Sequence, residues 1–175
     1  MKNKRGQVWV ETVIYTLVAF TLMGLVLTFA KPKIEELQDK GIIEQSINIM
    51  QEIDSIINDI GSAGNQRVIN IGISKGSITV DGTNDKIIFE LASVYEYSEP
   101  GSDVQVGNLI VHNEKTGDIN NLNMSMTYNH HNLQLNGEEI STKIGKSSTP
   151  YRLIITNKGL EEITGKKIIN IEIIN

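Results

Sequence analysis

The sequence contains no cysteine, only 3 prolines in 175 residues, and aromatic side chains at 5%. Without cysteine there can be no disulfide framework, thiolate metal site or cysteine nucleophile, so an extracellular domain built from this chain must be held by packing alone. Basic residues are in deficit, 16 Lys and Arg against 21 Asp and Glu, which argues against nucleic acid as the main partner because phosphate binding calls for a basic patch. Catalytic patterns are equally scarce. No Gly-rich phosphate loop, nucleophile elbow or metal-ligand spacing occurs. His130 and His131 are adjacent and on a strand would point to opposite faces, a poor chelate that His112 could join only by accident of folding. The acidic pairs Glu35-Glu36, Glu138-Glu139 and Glu161-Glu162 read as solvated positions rather than acid–base pairs. Asp81-Gly82-Thr83-Asn84-Asp85 has some oxygen ligands of a calcium loop without the rest of that pattern, and reads as a turn. We expect neither an enzyme nor a bound cofactor or metal.

Charge is also missing from one long stretch: from Thr12 to Ala30 no residue carries a charge. At a rise of 1.5 Å per residue a helix over this run covers about 28 Å, enough to span a hydrocarbon core of about 30 Å with its flanking residues. Lys2, Lys4 and Arg5 precede it and favour a cytoplasmic N-terminus, against the weaker opposing effect of Lys31 and Lys33, so the expected topology is N-in, C-out. Glu11 lies about one turn inside the apolar segment. A lone carboxylate there costs on the order of 2–3 kcal/mol even on the mildest scale unless something pairs with it. An ordinary secretory signal peptide is an alternative reading, with Thr28-Phe29-Ala30 as a weak cleavage site, but its apolar region would be only 7–15 residues long.

Lys4-Arg5-Gly6-Gln7, the Glu at the fifth position after the glycine, and the apolar helix to Ala30 together resemble the class III signal peptide of archaeal type IV pilin-like proteins, a group that includes adhesion pilins and archaellins. Gln7 in place of the phenylalanine usual in bacterial type IV pilins fits the archaeal branch. The resemblance implies a leader, residues 1–6, cut by a prepilin peptidase on the cytoplasmic side between Gly6 and Gln7. It further implies that Glu11 meets the new N-terminal amine of a neighbouring subunit. A carboxylate and an ammonium, each costly alone in an apolar core, become tolerable as a hydrogen-bonded pair. Val8, Val10, Val13, Ile14, Leu17 and Val18 would then pack subunit against subunit in a filament core. The implied partners are further copies of the chain, the peptidase, and an assembly machinery with a secretion ATPase and membrane platform. Loss of Lys2, Lys4 and Arg5 with the leader would take the side-chain charge from −5 to −8.

Beyond Lys31-Pro32-Lys33, where Pro32 marks a bend or a restart, helical periodicity continues from Ile34 to Ile60. Ile43, Ile47, Met50, Ile57 and Ile60 form an apolar stripe that Ile42, Ile49, Ile53 and Ile56 widen. Glu35, Glu36, Asp39, Lys40, Glu44, Glu52, Asp54 and Asp59 occupy much of the other side. A helix over residues 7–60 would extend roughly 80 Å. Gly61-Ser62-Ala63-Gly64-Asn65 stops it, and the period changes to two. Seven or eight short strands follow, among them Lys86 to Tyr97, Val104 to His112, and two last strands, Tyr151 to Thr156 and Lys167 to Ile174, on either side of Asn157-Lys158-Gly159. Asn136-Gly137 is a tight-turn signal. The last strand is apolar on both faces and reads as buried in the middle of the domain, or as covered on its second face by the long helix or by a neighbouring subunit. The expected fold is α+β, a long N-terminal hydrophobic helix (residues 7–60) followed by an antiparallel β-sheet or small β-sandwich head (residues 61–175). Asn, Ser and Thr are abundant in this head and suit a hydrated outer surface, and Asn123-Met124-Ser125 is an N-glycosylation sequon.

Two functions of different class follow. One is a structural subunit of an extracellular filament for adhesion or motility, stored in the membrane before assembly. The other is a single-pass anchored binding or sensor domain that never polymerises. A third, a secreted β-domain enzyme cut after Ala30, needs a catalytic cluster that the sequence does not show.

Overall fold

A computed structural model describes the backbone of residues 4–174 and the side chains of residues 9–174. Helix α1 (Lys4–Asp59) is followed by ten strands: β1 (Gln66–Ile71), β2 (Ser77–Asp81), β3 (Lys86–Ser93), β4 (Asp103–Val106), β5 (Leu109–Thr116), β6 (Ile119–Thr127), β7 (His131–Leu135), β8 (Ser141–Gly145), β9 (Tyr151–Leu160) and β10 (Lys167–Ile174). They form a four-stranded sheet of order β1-β9-β10-β7 and a six-stranded sheet of order β4-β5-β6-β3-β2-β8. The fold is α+β with open sheets, as expected. By internal contacts the chain divides into two compact units, one ending at Gln38 and one beginning at Asp39; the second is called the head below.

Pro32 lies inside α1, which is helical on both sides of it. A mid-helix proline sacrifices one backbone hydrogen bond and costs about 3 kcal/mol, yet the helix neither stops nor restarts here. Within the head, Ile43, Ile47, Met50, Ile53, Ile57 and Ile60 are buried, and Ile42, Ile49 and Ile56 pack at the margin of the same core. Spacings of three and four keep these residues on one helical face, and a fully buried Ile or Met contributes about 1.5–3 kcal/mol. The core is a single cluster that this face shares with inward side chains of both sheets, including Ile78, Phe89, Val111 and Met124 from one and Ile71, Leu133, Ile155 and Ile171 from the other.

Asp39 departs from the expected polar face. It is only 6% exposed, because it lies four residues before Ile43 and so in phase with the buried stripe. Its carboxylate accepts the Lys75 ammonium at 2.6 Å and the Val94 backbone N–H at 2.8 Å. Burial pushes its pKa up, but the Lys75 and Val94 hydrogen bonds outweigh this and hold it below the usual carboxylate value.

Strand pairing differs from the sequence expectation in four places. The stretch read as one strand from Val104 to His112 is a hairpin, β4 and β5, with Val106 opposite Leu109 across Gly107-Asn108. The strand expected over Lys86 to Tyr97 ends at Ser93. Asn157-Lys158-Gly159 is not a turn. β9 continues to Leu160 through a bulge, with Ile168 opposite Gly159 and Ile169 opposite Asn157, so that Lys158 is the extra residue, and Gly159 adopts φ 107°. The chain reverses instead in residues 161–166. Finally, β10 and β7 are parallel, the one parallel pairing among otherwise antiparallel ladders. β10 is interior to its sheet, between β9 and β7, which agrees with its apolar residues on both faces.

Asn136-Gly137 forms the tight turn its sequence announces, with φ 53° and 86° and Leu135 and Glu138 exchanging both backbone hydrogen bonds. Asp81 serves its own turn: its Oδ1 accepts the backbone N–H of Thr83 and of Asn84, and its Oδ2 accepts the Asn84 amide.

Asparagine is not confined to the outer surface. Asn113, Asn120, Asn132, Asn157 and Asn170 are buried. Asn157 ties β9 to the segment that follows the helix: its side-chain amide donates to the Gly61 carbonyl (2.5 Å), its Oδ1 accepts the Gly159 N–H, and its backbone pairs with Gly64 and Asn65. With Lys167 donating to the Ile60 carbonyl at 3.5 Å, this satisfies carbonyls that a helix end otherwise leaves without partners.

Candidate assembly helix

Every side chain from Trp9 to Phe29 is exposed. Trp9, Tyr15, Phe20 and Phe29 are among the most exposed. A continuous apolar surface of this size is not left to water by a stable soluble protein, and α1 is the one helix among the described residues long and apolar enough to cross a membrane.

Three threonine hydroxyls in this segment are already satisfied. Thr16 donates to the carbonyls of Thr12 (3.0 Å) or Val13 (2.9 Å), Thr21 to that of Leu17 (2.8 Å) and Thr28 to that of Gly24 (2.8 Å). Threonine folded back onto its own helix presents its methyl outward and adds little desolvation cost. Glu11 is the single carboxylate of the segment, exposed, and without an ion pair among the described residues. Helical geometry puts Val10, Val13, Ile14 and Leu17 on one face and sets Glu11 in line with Ile14 and Val18. The structure therefore brings these expected assembly residues onto adjoining rows. Lys4, Arg5, Gly6, Gln7 and Val8 lie outside the described side chains, their backbone falling within α1.

The histidines do not converge. His112 Nδ1 meets Asp103 at 2.6 Å across the β4–β5 hairpin. His131 stands edge-on to Tyr128 with ring centroids 6.0 Å apart, while His130 is exposed. Burial, then the Lys167 charge, lowers the His131 pKa. Burial, reinforced by the neighbouring Asp54 carboxylate, raises that of Tyr128 far above the usual phenol value. Asn123 is exposed on the outer face of β6, with its strand neighbours β5 and β3 on either side.

The residues that sequence reasoning missed are Asp39 and Asn157. The first carried a signal, its phase with Ile43; the second carried none, since its partners Gly61, Gly64 and Asn65 lie more than ninety residues earlier in the chain. No family of known proteins, curated protein or solved structure matches this chain.

Proposed function

We propose that the chain is a structural subunit of an archaeal type IV pilus-like extracellular filament, polymerising through its N-terminal helix. The observation that carries this reading is the apolar surface from Trp9 to Phe29, uncovered on every side, with Thr16, Thr21 and Thr28 bonded to their own helix, and interrupted by one carboxylate. The head has a closed core of its own and needs no help from that surface. On this reading a prepilin peptidase removes residues 1–6, and the helix waits in the bilayer, N-in. It then exchanges lipid contacts for helix contacts as the assembly machinery extracts it, a substitution of one apolar neighbour for another at small net cost. Glu11 sets the stagger between subunits by pairing with the amine of Gln7 on the next one. The heads coat the filament and meet the surface it adheres to or moves against.

The test is the N-terminal sequence of the protein recovered from cells, together with electron microscopy of the sheared cell surface. A chain starting at Gln7 in fibres supports the proposal. A chain starting at Met1 and confined to membranes establishes the anchored, non-polymerising domain instead, and a start at Lys31 a secreted head. Glu11→Gln is expected to be cleaved normally and to yield at least several-fold fewer filaments; undiminished filaments would overturn the pairing role.

A further inference from the structure

The outer face of the six-stranded sheet carries a hollow of about 530 Å³ over β3, β6 and β5. Strand register explains it. Glu90, Asn123 and His112 are directly opposite one another across the three strands, and Ala92, Asn121 and Glu114 form the next outward-facing row. Within these two rows Ala92 is the one residue without a long or polar side chain, so its methyl becomes an exposed apolar floor with carboxylates, amides and an imidazole around it. Most of this rim is held in place from outside. Glu90 accepts Lys143 at 2.5 Å, His112 is fixed by Asp103 at 2.6 Å, and Asn121 donates to Thr116 Oγ1 at 3.3 Å. Glu114 and Asn123 keep their hydrogen-bonding capacity for something else.

We propose that this hollow binds a saccharide ring. Hydroxyl groups are donors and acceptors at close spacing. Fixed carboxylates and amides answer both roles, while the Ala92 methyl meets the C–H face of the ring. The volume falls in the range of small-ligand sites. Glu90 and Glu114 disfavour an anionic ligand. The hollow lies on the face of the sheet, centred on β6, which is paired with β3 and with β5 through residues 120–125, so its floor offers no free edge to an extended peptide. The inference is independent of polymerisation, because the rim lies wholly in the head. Two sources can supply the ring: an external polysaccharide, or a glycan attached at Asn123 itself.

Saturation-transfer NMR on the full-length protein in dodecylphosphocholine micelles reads the site directly, with methyl α-glucoside, methyl α-mannoside, methyl β-galactoside and N-acetylglucosamine as probes. At least one probe is expected to receive saturation. Ala92→Leu, at an exposed position where the fold tolerates bulk, is expected to reduce that transfer at least tenfold, and Glu114→Gln several-fold. Intact mass of protein recovered from its own cells separates the sources. Unmodified protein that binds a probe identifies an external saccharide. Protein modified at Asn123 that binds no probe, while Asn123→Gln made in the same cells does, identifies its own glycan as the occupant. No transfer to any probe in either protein, or equal transfer in Ala92→Leu, would overturn the proposal.

Discussion

Asp39→Ala removes the one carboxylate that ties the helix to the β1–β2 loop and to the end of β3. Two partners are affected. The Val94 N–H loses a charge-assisted hydrogen bond of 2.8 Å, a loss of about 1.5–3 kcal/mol. The Lys75 ammonium loses its counter-ion at 2.6 Å, but its side chain is 40% exposed and water replaces most of that attraction, leaving about 0.5–1 kcal/mol. The expected destabilisation is thus roughly 2–4 kcal/mol, which for a unit of this size lowers the melting temperature by about 10 °C. Urea unfolding of the full-length protein in mild detergent, followed by tyrosine near-UV circular dichroism, measures it. Hydrogen exchange at Val94 localises it. Asp39→Asn keeps an acceptor for Val94 and should cost about 1 kcal/mol. Because the folded pKa of Asp39 lies below its unfolded value of about 3.9, its contribution is complete above that pH and is lost as pH falls through the folded value. The gap between wild type and Asp39→Asn should therefore close on acidification below pH 4. A cost under 0.5 kcal/mol, or unchanged Val94 protection, refutes the reasoning.

Asn157→Leu fills the same space but leaves the Gly61 carbonyl and the Gly159 N–H without their partner; a loss of about 2–3 kcal/mol is expected, with amides of Gly64 and Asn65 exchanging faster. His131, whose folded pKa is lowered chiefly by burial, binds its proton more readily unfolded. Head stability should then decline as pH falls below about 6.5, and His131→Leu should flatten that decline in urea titrations at pH 7.5 and 5.5.

The helix and the change to a period of two at Gly61 were legible because both are local patterns. So was the interior place of β10, since Ile168, Ile169, Ile171, Ile173 and Ile174 leave no face for water. The β4–β5 hairpin has a readable signature. Val104 and Val106 occupy even positions and Leu109 and Val111 odd ones, and such a phase slip requires a turn at Gly107-Asn108. The bulge at Lys158 defeated the reading because glycine within a strand looks like a turn until the partner strand is known. The parallel β7–β10 pairing, and separately the buried Asn157 clamp between β9 and residues 61–65, depend on contacts between remote segments that no window of sequence contains. The outward hollow was hidden for the same reason, as its six side chains come from three strands. The apolar segment with Glu11 was legible in full, because its defining property is the lack of anything packed on it.

β10, the last strand in the chain, lies inside its sheet, and β9, made just before it, is the partner of β1. The four-stranded sheet thus cannot close until synthesis has nearly reached Ile174. By then the helix has long emerged and is free to be inserted in a bilayer. On the proposed reading, topology orders biosynthesis: anchoring precedes closure of the four-stranded sheet, so the polypeptide would be threaded across behind the helix before that sheet is complete. Having no cysteines, it would then need no oxidative step to reach its native state.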